Sequence, residues 1–194
     1  MINMRQVLTG EPIRLRYVKR FSICPRVHEE SVAEHSYFVA FISMMIAEDL
    51  VASGVEVDIK TLLCRALLHD LDEVFSGDFI RMFKHDNPEV KDAIEKTTIK
   101  MMQNFTQEYP AGKNLLHYWS TAKDDDREGS ILAYADFLSV VSYIWQEVNA
   151  GNRIMLIHHE ELRRFGESFW DPRYTFLTPY HGPAMELLCE IRGM

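Results

Sequence analysis

The chain has little cysteine, no long apolar run and few basic residues for its acids. Cys24, Cys64 and Cys189 are three thiols among 194 residues with no CxxC spacing, which excludes a disulfide framework and a thiolate zinc site; reduced, mostly buried thiols are expected. No stretch approaches the roughly 18 to 20 uninterrupted apolar residues of a membrane span, and the N-terminus lacks a signal peptide's apolar core and cleavage site. A cytoplasmic protein without a membrane partner is expected. With 21 Lys and Arg against 29 Asp and Glu, a formal net charge of -8, the chain lacks the basic face that general nucleic-acid binding needs. Alternating strand patterns, repeats and low-complexity segments are absent as well.

What is present is helical periodicity. The hydrophobic fraction of 47% over 194 residues suffices for one domain with a real core. Residues 1 to about 13 read as a short helix or strand-like arm ended by Gly10 and Pro12, and the stretch to about Val27 is irregular, crossing the mouth of a site. Ser31 with Glu34 forms a capping box that opens a helix to about Ser53-Gly54; Asp58 caps a second through Leu62, Ala66 and Leu67 to His69. Asn87-Pro88-Glu89 opens a third to about Phe105, and a short helix after Pro110 holds Leu115, Leu116 and Trp119. A long helix spans about Glu128 to Val148, another about Ile154 to Trp170, and a last one follows Pro183. The expected fold is an all-α bundle, residues 1–194 forming a single domain.

The apolar run Ala66-Leu67-Leu68 ends in His69-Asp70-Leu71-Asp72-Glu73. A His-Asp step next to a core needs a compensating charge or a metal, and imidazole with carboxylate suits divalent first-row ions. Two other apolar helices offer partners: His35 in the first turns after Ser31, and Asp136 alone within Ile131-Leu132-Ala133-Tyr134-Ala135-Asp136-Phe137-Leu138. Each residue alone is ordinarily capped or paired. Together His35, His69, Asp70 and Asp136 make a two-nitrogen, two-carboxylate set with room for water and substrate oxygens. Glu73, spaced one helical turn after His69, is a candidate general acid or base, and Asp78, past Gly77, could orient the nucleophile or protonate the leaving oxygen. Arg14, Arg16, Lys19, Arg20 and Arg26 crowd the segment before His35, as a solvated surface or facing phosphate. The acids Asp124-Asp125-Asp126 suit a helix N-terminus better than a metal, and His158-His159 reads as surface.

The H…HD…D order resembles the HD-domain metal-dependent phosphohydrolases. Arg20-Phe21, the string Ser31-Val32-Ala33-Glu34-His35-Ser36, His69 to Val74 and Ser76-Gly77-Asp78 are similar to the bacterial 5'-deoxynucleotidases and their phage relatives, over roughly residues 14 to 150. The resemblance implies an HD-type helical bundle with its metal between helices and one divalent ion, with Co, Mn, Zn, Ni, Fe or Mg all admitted. It implies catalytic roles for Glu73 and Asp78, substrate contact by Arg20 and packing of Phe21 on the sugar against a 2'-hydroxyl. Here Phe21 stands where tryptophan is usual, Phe79-Ile80-Arg81-Met82 replaces a Leu-Pro-Thr-Pro loop, and Ala133 replaces a lysine three residues before the last ligand. Lys84 matches a lysine of relatives, Arg81 is an added cation, and Ile23 is a candidate wall beside a purine edge.

The expected activity is hydrolysis of 2'-deoxynucleoside 5'-phosphates, most simply phosphate release from a dNMP by a 5'-deoxynucleotidase. A phage-type enzyme cleaving dATP to the nucleoside is the alternative. A catalytically silent nucleotide-binding HD protein is the reading from another class; cyclic-dinucleotide HD enzymes carry further histidines that are not matched here. The expected partners are a small deoxynucleotide and other copies of the chain, as a dimer or higher homo-oligomer. On the triphosphatase alternative, an Arg81→Ala, Lys84→Ala double variant lowers kcat/KM for dATP at least about tenfold more than for dAMP, since each charge-assisted phosphate contact contributes about 1.5–3 kcal/mol; steady-state kinetics on both nucleotides checks it, equal losses removing that alternative.

Overall fold

The computed structural model describes residues 3–78 and 88–193. Arg81, Lys84 and the Asn87 cap lie outside the described residues. Within them the structure is helical, its sole extended pairing an isolated antiparallel bridge between Lys19 and Ser31. A short helix α1 (Met4–Thr9) and a 3-10 turn over Glu11–Arg16, with Pro12 in its first turn, lead in. Helix α2 (Val32–Ala52) starts at the expected capping box: the Ser31 hydroxyl accepts from the Glu34 N–H, and the Glu34 carboxylate accepts from the Ser31 N–H at 2.7 Å. Helix α3 (Ile59–Leu68) starts where the Asp58 carboxylate accepts from the Thr61 N–H at 3.0 Å. Then come α4 (Glu73–Ser76), α5 (Pro88–Gln107), α6 (Gly112–Ser120) and α7 (Arg127–Asn149). The chain ends in α8 (His159–Glu167) and α9 (Thr178–Gly193), linked by 3-10 turns.

Helix α7 is the axis of the bundle. Ile131, Leu132, Tyr134, Phe137 and Ile144 are all fully buried or nearly so, because α2 and α3 pack on one side and the C-terminal helices on another. A helix covered all round is apolar all round. A second, smaller cluster of Leu15, Val32, Leu71, Met102 and Phe105 seats the leading segment and α5 beneath the turn after α3. Helix α2 is long and apolar enough to cross a membrane by length and composition, yet it buries His35, Ser36 and Ser43 and packs as a core helix of this bundle.

The C-terminal third differs from expectation. The anticipated helix over Ile154–Trp170 is a 3-10 turn (Arg153–His158) followed by α8, and α9 begins at Thr178 and carries Pro183 inside it. Pro183 removes a single backbone bond near the start of that helix, and Pro179 is preset for its first turn. The change of helix type turns both histidines inward. His159 is buried with its Nε2 3.0 Å from the Leu188 carbonyl, and His158 lies 3.6 Å from the Cys24 thiol, so the surface reading of this pair is corrected. The thiols are also less buried than expected: Cys24 and Cys64 are half-buried and Cys189 is exposed. Asp126 is the N-cap of α7, accepting from the Gly129 N–H at 2.8 Å, while Asp125 meets Arg173.

Two polar ties position the site. Arg65 of α3 places Nη1 2.7 and 2.8 Å from the two oxygens of Asp126, fixing the end of α3 to the start of α7. The fully buried Glu147 accepts from the Val27 and His28 N–H groups at 2.8 and 2.7 Å and from Asn152 Nδ2 at 2.6 Å. It straps the irregular segment onto α7. Glu147→Ala removes the buried acceptor that these part-buried donors share and should cost about 1–3 kcal/mol in urea unfolding, with Glu147→Gln losing less; an unchanged midpoint for the alanine variant would show that the strap is not anchored there.

Candidate active site

His35 lies in the first turns of α2, His69 caps the end of α3, Asp70 begins the following turn, and Asp136 sits midway along α7. Packing of α2 and α3 on α7 brings them together. His35 Nε2 is 3.1 Å from Asp136 Oδ1 and 3.7 Å from Asp70 Oδ2; His69 Nε2 is 3.0 Å from Asp70 Oδ2. Ligand atoms of His35, His69 and Asp136 all lie within 4.8 Å of one another. Both buried Nε2 atoms nonetheless lack a hydrogen bond of proper geometry. Buried nitrogens left in this state beside carboxylate oxygens are suited to a shared cation. His69 Nδ1 lies 2.8 Å from the Ala66 carbonyl, so in the neutral ring it carries the proton and leaves a lone pair on Nε2, the form a metal takes. The donor set therefore fits a divalent ion.

The charges agree with this. Burial and the nearby Arg20 guanidinium push His35 down to about 4, so it is neutral at pH 7. Burial would lower His69, but the Asp70 charge outweighs it and holds His69 above its ordinary 6.5. Burial would raise both acids; Asp70 is instead held well below the carboxylate range by His69 and Lys123, and Asp136 by its contact with His35. Glu73 behaves oppositely: burial, then the charges of Asp70 and Asp78, push it up to about 9, and its Oε2 is buried without a partner. Helix α3 stops at Leu68, so Glu73 reaches this place through the turn at Leu71 and not by the helical spacing expected from the sequence. Trp119 Nε1 donates to Asp72 at 2.9 Å and holds that turn.

Of the crowded cations before His35, Arg20 reaches the cluster. Its Nη1 lies 2.8 Å from Glu30 Oε2 and 2.8 Å from His35 Nδ1, which is also 3.1 Å from the Ser139 hydroxyl. Lys19 pairs with Glu29, Arg14 and Arg16 face solvent, and Arg26 donates to the Arg20 carbonyl at 2.7 Å, which corrects Arg26 from a phosphate contact to a clamp on the loop. Phe21 has φ +51, the one non-glycine in the left-handed region among the described residues. Such strain of order 1–3 kcal/mol persists only where surroundings over-determine it. Here Asp78 Oδ2 accepts from the Phe21 N–H at 3.0 Å, the Cys24 N–H donates to the Phe21 carbonyl at 2.9 Å, and the ring stacks on Tyr143 at 5.1 Å. Ile23 is 67% exposed on the same turn, at the rim.

Sequence reasoning missed Lys123, the residue just before the acids Asp124-Asp125-Asp126. Its Nζ lies 3.9 Å from Asp70 Oδ1. It also missed Glu30, Ser139 and Tyr143, whose partners are distant in the chain.

The sequence matches the YfbR-like 5'-deoxynucleotidase family over residues 12–165. The chain belongs to this family. It is 27% identical to a 5'-deoxynucleotidase of Yersinia pestis (strain Pestoides F) over 145 residues, 72% of each chain. In structure it is similar to an HD-domain phosphohydrolase from Listeria innocua, with a TM-score of 0.78, 26% identity and 98% of both chains covered. It also shares the fold of the cyanophage S-2L HD phosphohydrolase DatZ, solved with dA and one catalytic Zn2+, at a TM-score of 0.60 and 16% identity over 96% of this chain and 97% of that one. The protein is a hydrolase of the HD type, a nucleotide phosphohydrolase with a divalent-metal site.

If His69 and Asp70 hold the ion, His69→Ala or Asp70→Ala should abolish metal retention while the far-ultraviolet circular dichroism stays helical. In the wild type, metal affinity measured by competition with a chelator should fall as pH drops from 8 to 6, because a proton on His69, bound with a pKa above 6.5, excludes the ion. Affinity independent of pH over that range would remove His69 from the ligand set.

Proposed function

We propose that the protein is a 5'-deoxynucleotidase that releases phosphate from 2'-deoxynucleoside 5'-monophosphates. The observation that carries this reading is the convergence of His35, His69, Asp70 and Asp136 beside a buried, proton-holding Glu73. These four residues would hold a divalent ion. When bound, the ion supplies polarisation of the phosphoryl group and acidification of a water.

The remaining chemistry belongs to the chain. Arg20, held by Glu30 at 2.8 Å, presents a fixed guanidinium beside the ligand set and orients the phosphate. Glu73 holds a proton on its carboxyl at neutral pH and delivers it to the leaving 5'-oxygen. Asp78 fixes the backbone of Phe21, and Tyr143 backs its ring, so that ring forms a flat wall for the deoxyribose where a 2'-hydroxyl would meet apolar carbon. Ile23 extends this wall outward toward the base. Support for the substrate class comes from the family and from the 5'-deoxynucleotidase relative.

A panel of dNMP, rNMP and dATP assayed for phosphate release with added Co2+, Mn2+ or Zn2+ tests the reading. Cleavage of dNMP at least about tenfold above rNMP is expected; wild-type protein that spares dNMP and cleaves dATP would move the assignment to a triphosphatase. Glu73→Gln should lose about a hundredfold or more in turnover with metal content unchanged. Metal loss in step with activity would make Glu73 a ligand instead.

A further inference from the structure

The cation content of the site is uneven. On the His35 side Arg20 has one guanidinium nitrogen, Nη1, shared between Glu30 and His35 Nδ1, each at 2.8 Å. On the Asp70 side Lys123, in the turn that follows α6, brings Nζ to 3.9 Å from Asp70 Oδ1, while Oδ2 of the same carboxylate faces His69 and His35. The lysine thus stands at the outer edge of the ligand set. Its separation from Asp70 is at the limit of an ion pair, it makes no hydrogen bond among the described residues, and its side chain is 65% exposed. A side chain so placed keeps three donors available for an incoming anion. Position 133, one turn ahead of Asp136 on α7, is alanine and brings no cation.

We propose that Lys123 is a phosphate-binding residue of this site, receiving non-bridging phosphoryl oxygens on the Asp70 side while Arg20 serves from the His35 side. The inference rests on the reading of the site as a phosphomonoester hydrolase's. Around the ligand set Asp70, Asp72 and Asp136 repel a phosphate dianion, and these carboxylates together with Glu73 face the Lys123 ammonium. The competing role, a surface ion pair that neutralises Asp70, is worth little to stability and predicts a different set of changes.

The test uses wild type, Lys123→Ala, Lys123→Gln and Lys123→Arg, each loaded with one equivalent of Zn2+. Orthophosphate affinity is read by titration calorimetry, Zn2+ affinity by chelator competition, and KM for dAMP by phosphate release. Orthophosphate binding should weaken about tenfold or more in the alanine and glutamine variants and stay within about threefold of wild type in the arginine variant. Zn2+ affinity should hold or rise, since a cation beside a ligand carboxylate is removed, and KM for dAMP should rise more than kcat falls. Unchanged orthophosphate affinity in Lys123→Ala, or a loss of Zn2+ affinity matching the loss of orthophosphate, overturns the proposal. Because orthophosphate binding needs no turnover, a wild type that cleaves no deoxynucleotide yet loses orthophosphate with Lys123 would sink the substrate reading and uphold this one.

Discussion

The structure depends on an unfavourable encounter: two buried imidazole nitrogens and the Asp136 carboxylate lie within 4.8 Å of one another, Asp70 stands beside both rings, and neither nitrogen has a hydrogen bond of proper geometry. Desolvating such groups costs several kcal/mol each unless charge is matched. The bundle offsets that cost by over-constraining them. His35 is fixed by the capped start of α2, His69 by the last carbonyls of α3, and Asp136 by a helix buried on every side. The Arg65 contact to the Asp126 cap then sets α3 against α7, so the distance between His69 and Asp136 is determined by a tie outside the site.

A second layer of contacts surrounds the His35, His69 and Asp136 group. Glu30 occupies part of Arg20, and Arg20 in turn depresses His35, so one cation both orients and keeps a ligand neutral. Phe21 is held in a backbone conformation it would not choose, by Asp78 beneath and Tyr143 behind. The loop from residue 17 to 30 has no regular structure of its own. Its shape is borrowed from the Lys19 to Ser31 bridge and from Glu147.

The parts of this arrangement that were legible in the sequence are those governed by short-range rules. Ser31 with Glu34, Asp58, and the His69-Asp70 step at the end of an apolar run each announce themselves within a few residues, and a lone Asp136 in an apolar helix is a local anomaly. What stayed hidden is contact across the chain. Lys123 sits unremarked beside the acids 124–126 until α6 delivers it to Asp70, and Arg26 looks like another phosphate cation until the loop folds it onto the Arg20 carbonyl. His158 and His159 were misread for a different reason: apolar spacing cannot tell one turn of 3-10 helix from one of α-helix, and that turn decides which way a ring points. Glu73 reached the site for a reason other than the helical spacing that suggested it.

The Glu147 strap has a consequence for the order of folding. The bonds it makes to the 27–28 segment join residues 119 and 120 positions apart, and Arg20 and Phe21 take their positions from the loop so anchored. Closing a chain segment of that length is an entropic cost that must be met before any bond rewards it, which makes such pairings late events. Both histidines are in place early along the chain. A nascent polypeptide that has not yet reached residue 136 carries His35, His69 and Asp70 but neither Asp136 nor Glu147, the anchor of the 27–28 segment. The grouping of His35, His69 and Asp136 therefore forms only with completion of the central helix.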